Sequence, residues 1–232
     1  MISVVIPVYN AEFFIQKAII SAYDQDEVSE IIIIEDGSSD DSLSVCKETE
    51  YQFADKVRLF QHPDKQNHGA GASRNFGIKV ANGEFIAFLD ADDFYLKDRF
   101  NHDIKTLTNH SNIDGIYNAL GVSIYDEEER IRVQGELTTV TYPIPPDRLF
   151  EEMAPIGNKG YFHCDTITLR ASIFNKVGFF NEELELSQDT HMWIKMAAKS
   201  RLISGIIDKP VAIRGVHLNN RIKDQNKMYK FR

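Results

Sequence analysis

Short apolar runs alternate with segments of helical spacing along the first ninety residues. Residues 2–8 are β-branched and apolar almost throughout, and Ile31 to Ile34 repeat this composition. Strands that are apolar throughout are buried on both faces, and with helices between them they indicate a parallel sheet with right-handed crossovers. The pattern predicts strands over 2–8, 30–35, 57–61 and 84–89, and helices over 11–22 and from 40 towards 51. Over 69–81 it predicts a loop of small residues that enters a helix at Arg74.

The second half of the chain is less regular. Four prolines between residues 136 and 160 predict a loop there. No linker separates the two halves, so we expect a single domain. The remaining pattern predicts helices over 95–108, 171–177 and 189–199, and strands over 113–118, 123–132 (around an acidic turn at 126–129), 166–170 and 211–217.

Polar residues follow three of the predicted strands in the first half. Tyr9 comes after the first strand, Asp36 after the second, and Asp90 and Asp92 after the fourth. Ligands of open parallel sheets bind at the carboxyl ends of the strands. Two carboxylates two residues apart suit a hard divalent cation that also binds diphosphate oxygens, and the alternative is a strand-end turn with solvated acids.

Charge and cysteine content narrow the function classes. The chain has 232 residues and a net charge of −9, from 26 basic and 35 acidic side chains, which argues against a nucleic-acid binder. Cys46 and Cys164 are too few for a disulfide framework and suggest a reducing compartment. The N-terminus lacks a signal-peptide pattern, and the longest apolar stretches are of strand length, so we expect a cytoplasmic protein.

Five segments in order resemble an inverting family 2 glycosyltransferase of the GT-A fold. The resemblance runs from residue 2 to about residue 220 and implies a nucleotide-sugar-binding, Rossmann-like, mostly parallel central sheet flanked by helices, with a smaller acceptor-side β region. It divides the chain 1–232 into a donor half, 1–95, an acceptor half, 96–220, and a basic tail, 221–232. The segments are Ile2-Ser-Val-Val-Ile-Pro-Val-Tyr-Asn10, Ile33-Ile-Glu-Asp-Gly-Ser-Ser-Asp40, Gly69-Ala-Gly-Ala-Ser-Arg-Asn75, Leu89-Asp-Ala-Asp-Asp93 and Gln188-Asp189.

The resemblance implies transfer of a sugar from a nucleotide-sugar to a hydroxyl of a saccharide or lipid-linked saccharide, as in cell-surface polysaccharide synthesis. UDP is favoured by family habit, and Mn²⁺ or Mg²⁺ is the implied cofactor. The basic tail suggests peripheral contact with the inner face of an anionic membrane, and a solvated basic end is the alternative. Family members often continue past this point, so a longer native chain stays open, as does the oligomeric state.

The resemblance assigns the donor contacts of the first two strands. Asp36 would accept the uracil imide N–H, and the alternative is a helix N-cap or Asx-turn before Gly37. Pro7 and Tyr9 would lie at the donor, Tyr9 against the base, and the alternative for Tyr9 is an ordinary half-buried strand-end residue.

The resemblance also assigns Arg74, Asp90, Asp92 and His217. Arg74 would reach the base or the phosphates, past Gly69 and Gly71, whose backbone passes close to the donor; the alternative is a surface pair with Asp36 or Asp40. Asp90 would bind the ribose and Asp92 the metal, with Asp93 in a supporting or capping role. His217 would complete the metal site, although a lone histidine is as often packed or at the surface. His163 has no context that predicts a role.

On the acceptor side, the resemblance makes Asp189 the catalytic base, and the alternative is a helix N-cap. Family members usually carry an acid before this residue, where this chain has Gln188. The segment 178–180 resembles one that contacts the acceptor, whereas Trp193 shares a helix face with Met192 and Met196 and is predicted to be core.

Two other functions stay open. Intact Asp90, Asp92 and Asp189 argue against a catalytically inactive nucleotide-sugar-binding protein, but only turnover separates the two. A sugar nucleotidyltransferase would carry a Gly- and Arg-rich loop directly after the first strand, where this chain has Val8-Tyr-Asn-Ala-Glu12. A dehydrogenase would need Gly-x-Gly-x-x-Gly at the same place, and it is absent there.

Overall fold

The computed structural model describes residues 1–125, 131–134, 140 and 142–216. The predicted acidic turn at 126–129, His217 and the basic tail at 221–232 lie outside the described residues. Among the described residues, no helix is long and apolar enough to cross a membrane.

Most predicted helices and strands are present in the predicted order, but the helices predicted from 11 and 95 begin at Ile15 and Asn101. The short elements at 94–95, 149–152 and 202–204 were not predicted. The first half contains β1 (Ile2–Val8), α1 (Ile15–Tyr23), β2 (Val28–Glu35), α2 (Ser42–Gln52), β3 (Val57–Gln61), α3 (Gly69–Val80), β4 (Phe85–Phe88) and β5 (Phe94–Tyr95). The second half contains α4 (Asn101–Asn109), β6 (Gly115–Tyr117), β7 (Ala119–Tyr125), β8 (Ile131–Gln134), α5 (Leu149–Glu152), a one-turn 3-10 helix (Cys164–Thr166), β9 (Ile167–Arg170), α6 (Ile173–Val177), α7 (Gln188–Lys199), β10 (Leu202–Ser204) and β11 (Pro210–Val216).

A seven-stranded sheet in the order β10-β6-β9-β4-β1-β2-β3 forms the centre. β1 pairs in parallel with both β2 and β4, and β3 and β10 also pair in parallel with their neighbours. β9 runs antiparallel between β4 and β6. The predicted α/β fold with a mostly parallel central sheet is therefore confirmed, and the antiparallel β9 is the departure from it.

A second sheet, in the order β5-β11-β7-β8, is the smaller β region that was expected. β11 pairs in parallel with β7 and antiparallel with the short β5, Ala212 standing opposite Tyr95. This pairing explains why the helix predicted over 95–108 begins later, at Asn101, since its first residues belong to β5 or to the turn at Asp98, whose φ is +61°.

Side chains of the central strands enter a separate core on each face of the large sheet. Val4 and Ile6 pack with α1 on one face, and Val5 lies with α6 and α7 on the other. Successive side chains of a strand point to opposite faces, so the central strands are apolar at most positions. The burial of both faces leaves the carboxyl-terminal edge of the sheet for polar chemistry.

Candidate active site

The polar residues after β1, β2 and β4 lie at one edge of the large sheet. Val8 stands beside Glu35 in the parallel β1–β2 pair, and the Asp36 N–H donates to the Val8 carbonyl at 2.8 Å. The loops that follow are joined as well, because the Ser39 N–H donates to Asn10 Oδ1 at 2.8 Å. The expected convergence of these strand ends is confirmed.

Asp36 caps a helix that is distant from it in sequence. Its Oδ1 accepts from the His68 N–H at 2.8 Å and its Oδ2 from the Gly69 N–H at 2.9 Å, so the carboxylate sits on the N-terminus of α3. The residue is 2% exposed. The capping alternative is therefore correct in kind, although the helix is α3 rather than the local α2. Each carboxylate oxygen has a second lone pair that can accept a further hydrogen bond, so the cap is compatible with contact to a base. That contact stays a prediction.

Arg74 is buried and pairs with Asp90. Its Nη2 donates to Asp90 Oδ1 at 2.6 Å, and its guanidinium lies 5.6 Å from the Phe180 ring. The alternative of a surface pair with Asp36 or Asp40 is thus wrong, because Arg74 enters the site from the first turns of α3 instead. Burial alone would lower the pKa of Arg74, but anionic neighbours raise it, Asp90 and Asp189 among them.

The turn after β4 is held from behind by a fully buried carboxylate. Asp165, in the 3-10 helix before β9, accepts from the Asp90 N–H at 2.9 Å and hydrogen-bonds to the Asp93 carboxyl group. Asp93 Oδ1 in turn accepts from the Gly215 N–H of β11 at 2.8 Å. Burial and the Asp165 carboxylate raise the pKa of Asp93 well above its usual range. The supporting role expected of Asp93 agrees with these bonds.

His163 lies next to the turn after β4, a position that the sequence did not predict. One atom each of Asp90, Asp93 and His163 lies within 4.8 Å of the others, a spacing that can hold a metal ion. His163 Nδ1 lies 3.0 Å from Asp165 Oδ2. Burial would lower the pKa of His163, but Asp165 outweighs burial and raises it. Asp92, half-buried in the same turn, is outside this group, and its predicted metal role stays a prediction, as does that of His217.

Asp189 lies in the first turn of α7, partly exposed, on the same side of the sheet as Arg74. Its Oδ1 accepts from the Thr190 N–H at 2.7 Å, and no side chain caps the helix. The preceding Gln188 is 8% exposed and its amide lies against Gly71 of α3. The space beside Gly71 is thus occupied by the Gln188 amide, and the expected approach of the donor to this glycine stays a prediction.

The aromatic residues of the site divide between core and surface. Trp193 is 2% exposed and meets Phe180 edge to face, so its assignment to the core is confirmed. Phe179 and Tyr9 are 42% and 45% exposed and are accessible to a ligand. Pro7 pairs with Ile34 inside the β1–β2 ladder, one residue from the strand end.

His163 and Asp165 are the residues that sequence reasoning missed. They are more than seventy positions from the Asp90 turn, and they follow a proline-rich segment that carries no periodic pattern. They reach the turn because β9 pairs antiparallel with β4, and the local sequence carries no pattern that predicts this pairing.

Comparison with known proteins places this site in a family. The profile described as glycosyl transferase family 2 matches residues 3–178. An uncharacterized glycosyltransferase of Rickettsia felis is 32% identical over 200 residues, which cover 84% of this chain and 31% of that protein. The chain thus spans about a third of the length of this relative.

Solved structures share the architecture at low identity. TarS of S. aureus in complex with UDP-GlcNAc superposes with a TM-score of 0.70 at 20% identity, covering 96% of this chain and 60% of that one. The mannosyltransferase PcManGT of Pyrobaculum calidifontis, in complex with GDP-Man and Mn²⁺, gives 0.66 at 17% identity, covering 95% and 57%. With the family profile matching most of the chain, this chain belongs to glycosyl transferase family 2 and has the GT-A fold.

Proposed function

We propose that this chain is the catalytic domain of an inverting glycosyltransferase that uses a UDP-sugar and a hydroxyl of a saccharide or lipid-linked saccharide. The observation that carries the proposal is the buried guanidinium of Arg74. It pairs with Asp90 at the end of β4, and its helix, α3, contacts the start of α7 through Gly71 and Gln188. The proposed donor-side acid thus holds a buried cation at the carboxyl edge of the sheet, and the proposed acceptor-side acid, Asp189, stands next to the residue that α3 contacts.

The donor would lie along this edge. Tyr9 presents an exposed ring for the base, Pro7 precedes it in β1, and Asp36 stands at the N-terminus of α3. The preference for UDP is supported by the similarity to TarS, which binds UDP-GlcNAc, and the GDP-Man of the mannosyltransferase keeps guanine as the competing base.

The residues of the turn fit a divalent cation. Asp90 and His163 offer an oxygen and a nitrogen within 4.8 Å of each other, and Mn²⁺ accepts both kinds of ligand. Asp92 is proposed as a further ligand on the strength of the family resemblance, which names His217, outside the described residues, as the histidine of the site. When bound, Mn²⁺ or Mg²⁺ neutralises negative charge on a departing diphosphate.

Asp189 is proposed to act on the acceptor. Inversion is one in-line displacement, so the acceptor hydroxyl attacks from the side opposite the nucleotide and must lose its proton. Asp189 Oδ1 is held by the Thr190 N–H, which leaves Oδ2 to receive that proton.

The test replaces Asp189. We expect Asp189→Asn to bind UDP like the unmodified protein but to lose about 10²–10⁴-fold in turnover, the usual contribution of a general base. Donor consumption with a panel of saccharide acceptors measures the rate, and calorimetry measures UDP affinity. The control is Glu183→Gln, an exposed acid a few residues upstream, which should leave the rate unchanged.

Proton NMR of the product supplies the second reading. The anomeric configuration should be opposite to that of the donor. A retained configuration, or an Asp189→Asn rate within a few-fold of the unmodified protein, would remove Asp189 from the mechanism. Tight UDP-sugar binding without turnover on any acceptor would favour a nucleotide-sugar-binding protein without catalytic activity.

A further inference from the structure

We propose that His163 is a ligand of the divalent cation and that Asp165 is the positioning residue that orients its imidazole. The inference rests on the proposed function, because it concerns the cation that the UDP-sugar would bring into contact with Asp90. It departs from the sequence-based expectation, in which His217 is the histidine of the metal site.

Asp165 is the centre of the arrangement. It is fully buried, and three polar groups converge on its carboxylate: the Asp90 N–H, the Asp93 carboxyl group and His163. A buried carboxylate is stabilised only by such partners, so the geometry of each is constrained by the others. The position of the imidazole is thereby linked directly to the turn that carries Asp90.

The orientation of the imidazole follows from its two neighbours. His163 Nδ1 lies 3.0 Å from Asp165 Oδ2 and 3.4 Å from the Asp165 amide nitrogen. The shorter contact is to Oδ2 of a buried carboxylate, an oxygen that needs a donor, so we infer that the proton of the ring is on Nδ1. Nε2 then keeps its lone pair for a ligand. Histidines that bind metals usually donate their other N–H to a carboxylate in this way.

Asp93 does not compete with His163 for the cation. Its Oδ1 accepts from the Gly215 N–H, and its carboxyl group is hydrogen-bonded to Asp165. Both interactions hold the end of β11 against the turn. Asp93 thus supports the turn, and Asp90 and His163 are the two members of the group that face the cation.

The experiment detects the nitrogen atom of the histidine that is bonded to the metal ion. Mn²⁺ bound to the protein with saturating UDP is studied by electron spin-echo envelope modulation, which detects a directly coordinated ¹⁴N. We expect nitrogen modulation in the unmodified protein, its loss in His163→Gln, and its survival in His217→Gln. His110→Gln, at an exposed histidine, is the matched control and should keep the modulation.

Affinity tests the positioning role separately. We expect Asp165→Asn to weaken Mn²⁺ binding by about 10–100-fold, the usual effect of removing the partner of a metal-bound histidine. His163→Gln should weaken it at least as much, and circular dichroism with thermal unfolding checks that each variant is folded. His163 lies at the edge of the site, its side chain 12% exposed, so this variant decides the question if Asp165→Asn does not fold.

The outcomes separate the two proposals. If the unmodified protein binds no Mn²⁺ with UDP present, the metal part of the proposed function fails. If Mn²⁺ binds but its nitrogen modulation is missing, or survives in His163→Gln, then the function stands and His163 is not a ligand. Modulation that disappears in His217→Gln alone would return the site to the sequence-based expectation.

Discussion

At the scale of single residues, the Asp36 carboxylate has two roles, one observed and one proposed. It caps α3 through the His68 and Gly69 amides, and the family resemblance asks it to read the base as well. The two roles are compatible, since a carboxylate oxygen can accept two hydrogen bonds. Each role predicts its own loss when Asp36→Asn replaces one carboxylate oxygen by an NH₂ group: a loss of stability for the cap, and a loss of base discrimination for the contact with the base.

Asp36→Asn should lower stability and base discrimination together. The amide NH₂ cannot accept from a backbone N–H, so one cap bond is lost and the free energy of unfolding falls by about 0.5–2 kcal/mol. A carboxylate that accepts the uracil imide N–H favours UDP over CDP by about 1–3 kcal/mol, and this preference should shrink in the variant. Urea unfolding and calorimetry with both nucleotides measure the two effects.

Asp41→Asn is the control for this substitution. Asp41 precedes α2, is exposed and makes no side-chain cap bond, so neither stability nor base preference should change. Equal affinity of the unmodified protein for UDP and CDP would leave Asp36 with the capping role alone.

Single residues were predictable where chemistry and a strand end coincide. Asp90 and Asp36 stand directly after apolar strands, so their position at the sheet edge follows from the pattern. The burial of Arg74 does not, because nothing local distinguishes a buried arginine of a helix from an exposed one. The distance of Asp165 from Asp90 along the chain hides their contact in the same way.

At the scale of elements, the N-termini of α3 and α7 meet at the site. A methyl group on Gly71 would overlap the Oε1 atom of Gln188, so the buried Gln188 amide would have to move. Asn75 also ties α3 to the segment before α7, donating to the Phe180 carbonyl at 2.9 Å and accepting from the Phe180 N–H at 2.9 Å. The first contact joins the helices that carry Arg74 and Asp189.

Gly71→Ala should reduce turnover through this contact, by about tenfold, since small misplacements of catalytic groups are costly. Glycine inside a helix is otherwise less stable than alanine by about 0.5–1 kcal/mol, so a loss would come from the overlap and not from helix propensity. Gln188→Ala removes the obstructing amide. The double variant Gly71→Ala/Gln188→Ala should therefore recover the turnover and stability of Gln188→Ala, measured by steady-state kinetics and urea unfolding.

A Gly71→Ala rate equal to that of the unmodified protein would mean that Gln188 rotates away freely and does not position α7. Failure of the double variant to recover would assign the space beside Gly71 to another group, the donor included.

The sequence predicted elements well where they are long and periodic. The strands over 2–8 and 57–61 agree with β1 and β3, and α7 begins within one residue of its predicted start. The loop expected before Arg74 is wrong, because α3 is already helical from Gly69. Strands of two or three residues, β5 and β10, were missed because so short a run has no period to detect. The antiparallel direction of β9 was missed because direction depends on the path of the chain, and a strand of either direction has the same composition.

At the scale of the whole molecule, one buried ion pair joins the parts of the chain. Arg99 Nη1 donates to Asp103 Oδ2 at 2.7 Å, and neither side chain is exposed. The same oxygen accepts from Thr168 Oγ1 on β9 at 2.6 Å and from Asn118 Nδ2 at 2.9 Å. Arg99 Nε also donates to the Asp165 carbonyl at 3.2 Å, so the pair reaches the back of the metal turn.

This network sets a pH dependence of stability. Burial would raise the pKa of Asp103, but Arg99 and the hydrogen bonds outweigh it, and the pKa lies below its usual value. The folded protein therefore holds Asp103 ionised more readily than the unfolded chain does. Its stabilising effect is present above the unfolded pKa, about 3.9, and is lost as the pH falls through the folded pKa.

Arg99→Met should reverse that dependence. Removal of the cation leaves a buried, uncompensated carboxylate, which lowers the free energy of unfolding at pH 7 by about 3–5 kcal/mol. Burial then raises the pKa of Asp103, so the deficit should shrink as the pH is lowered from 7 to 4 and the group becomes neutral. Arg99→Met/Asp103→Asn removes the charge and should recover part of the loss with little change over this pH range.

The matched control is Arg148→Met, which breaks an exposed pair of the same spacing, Arg148 with Glu152 at 2.7 Å, and should change stability far less at either pH. Urea unfolding at pH 4 and pH 7 measures the loss in free energy of unfolding for each variant. If the loss in Arg99→Met grows towards acid, or is as small as that in Arg148→Met, the buried pair does not join the parts of the molecule.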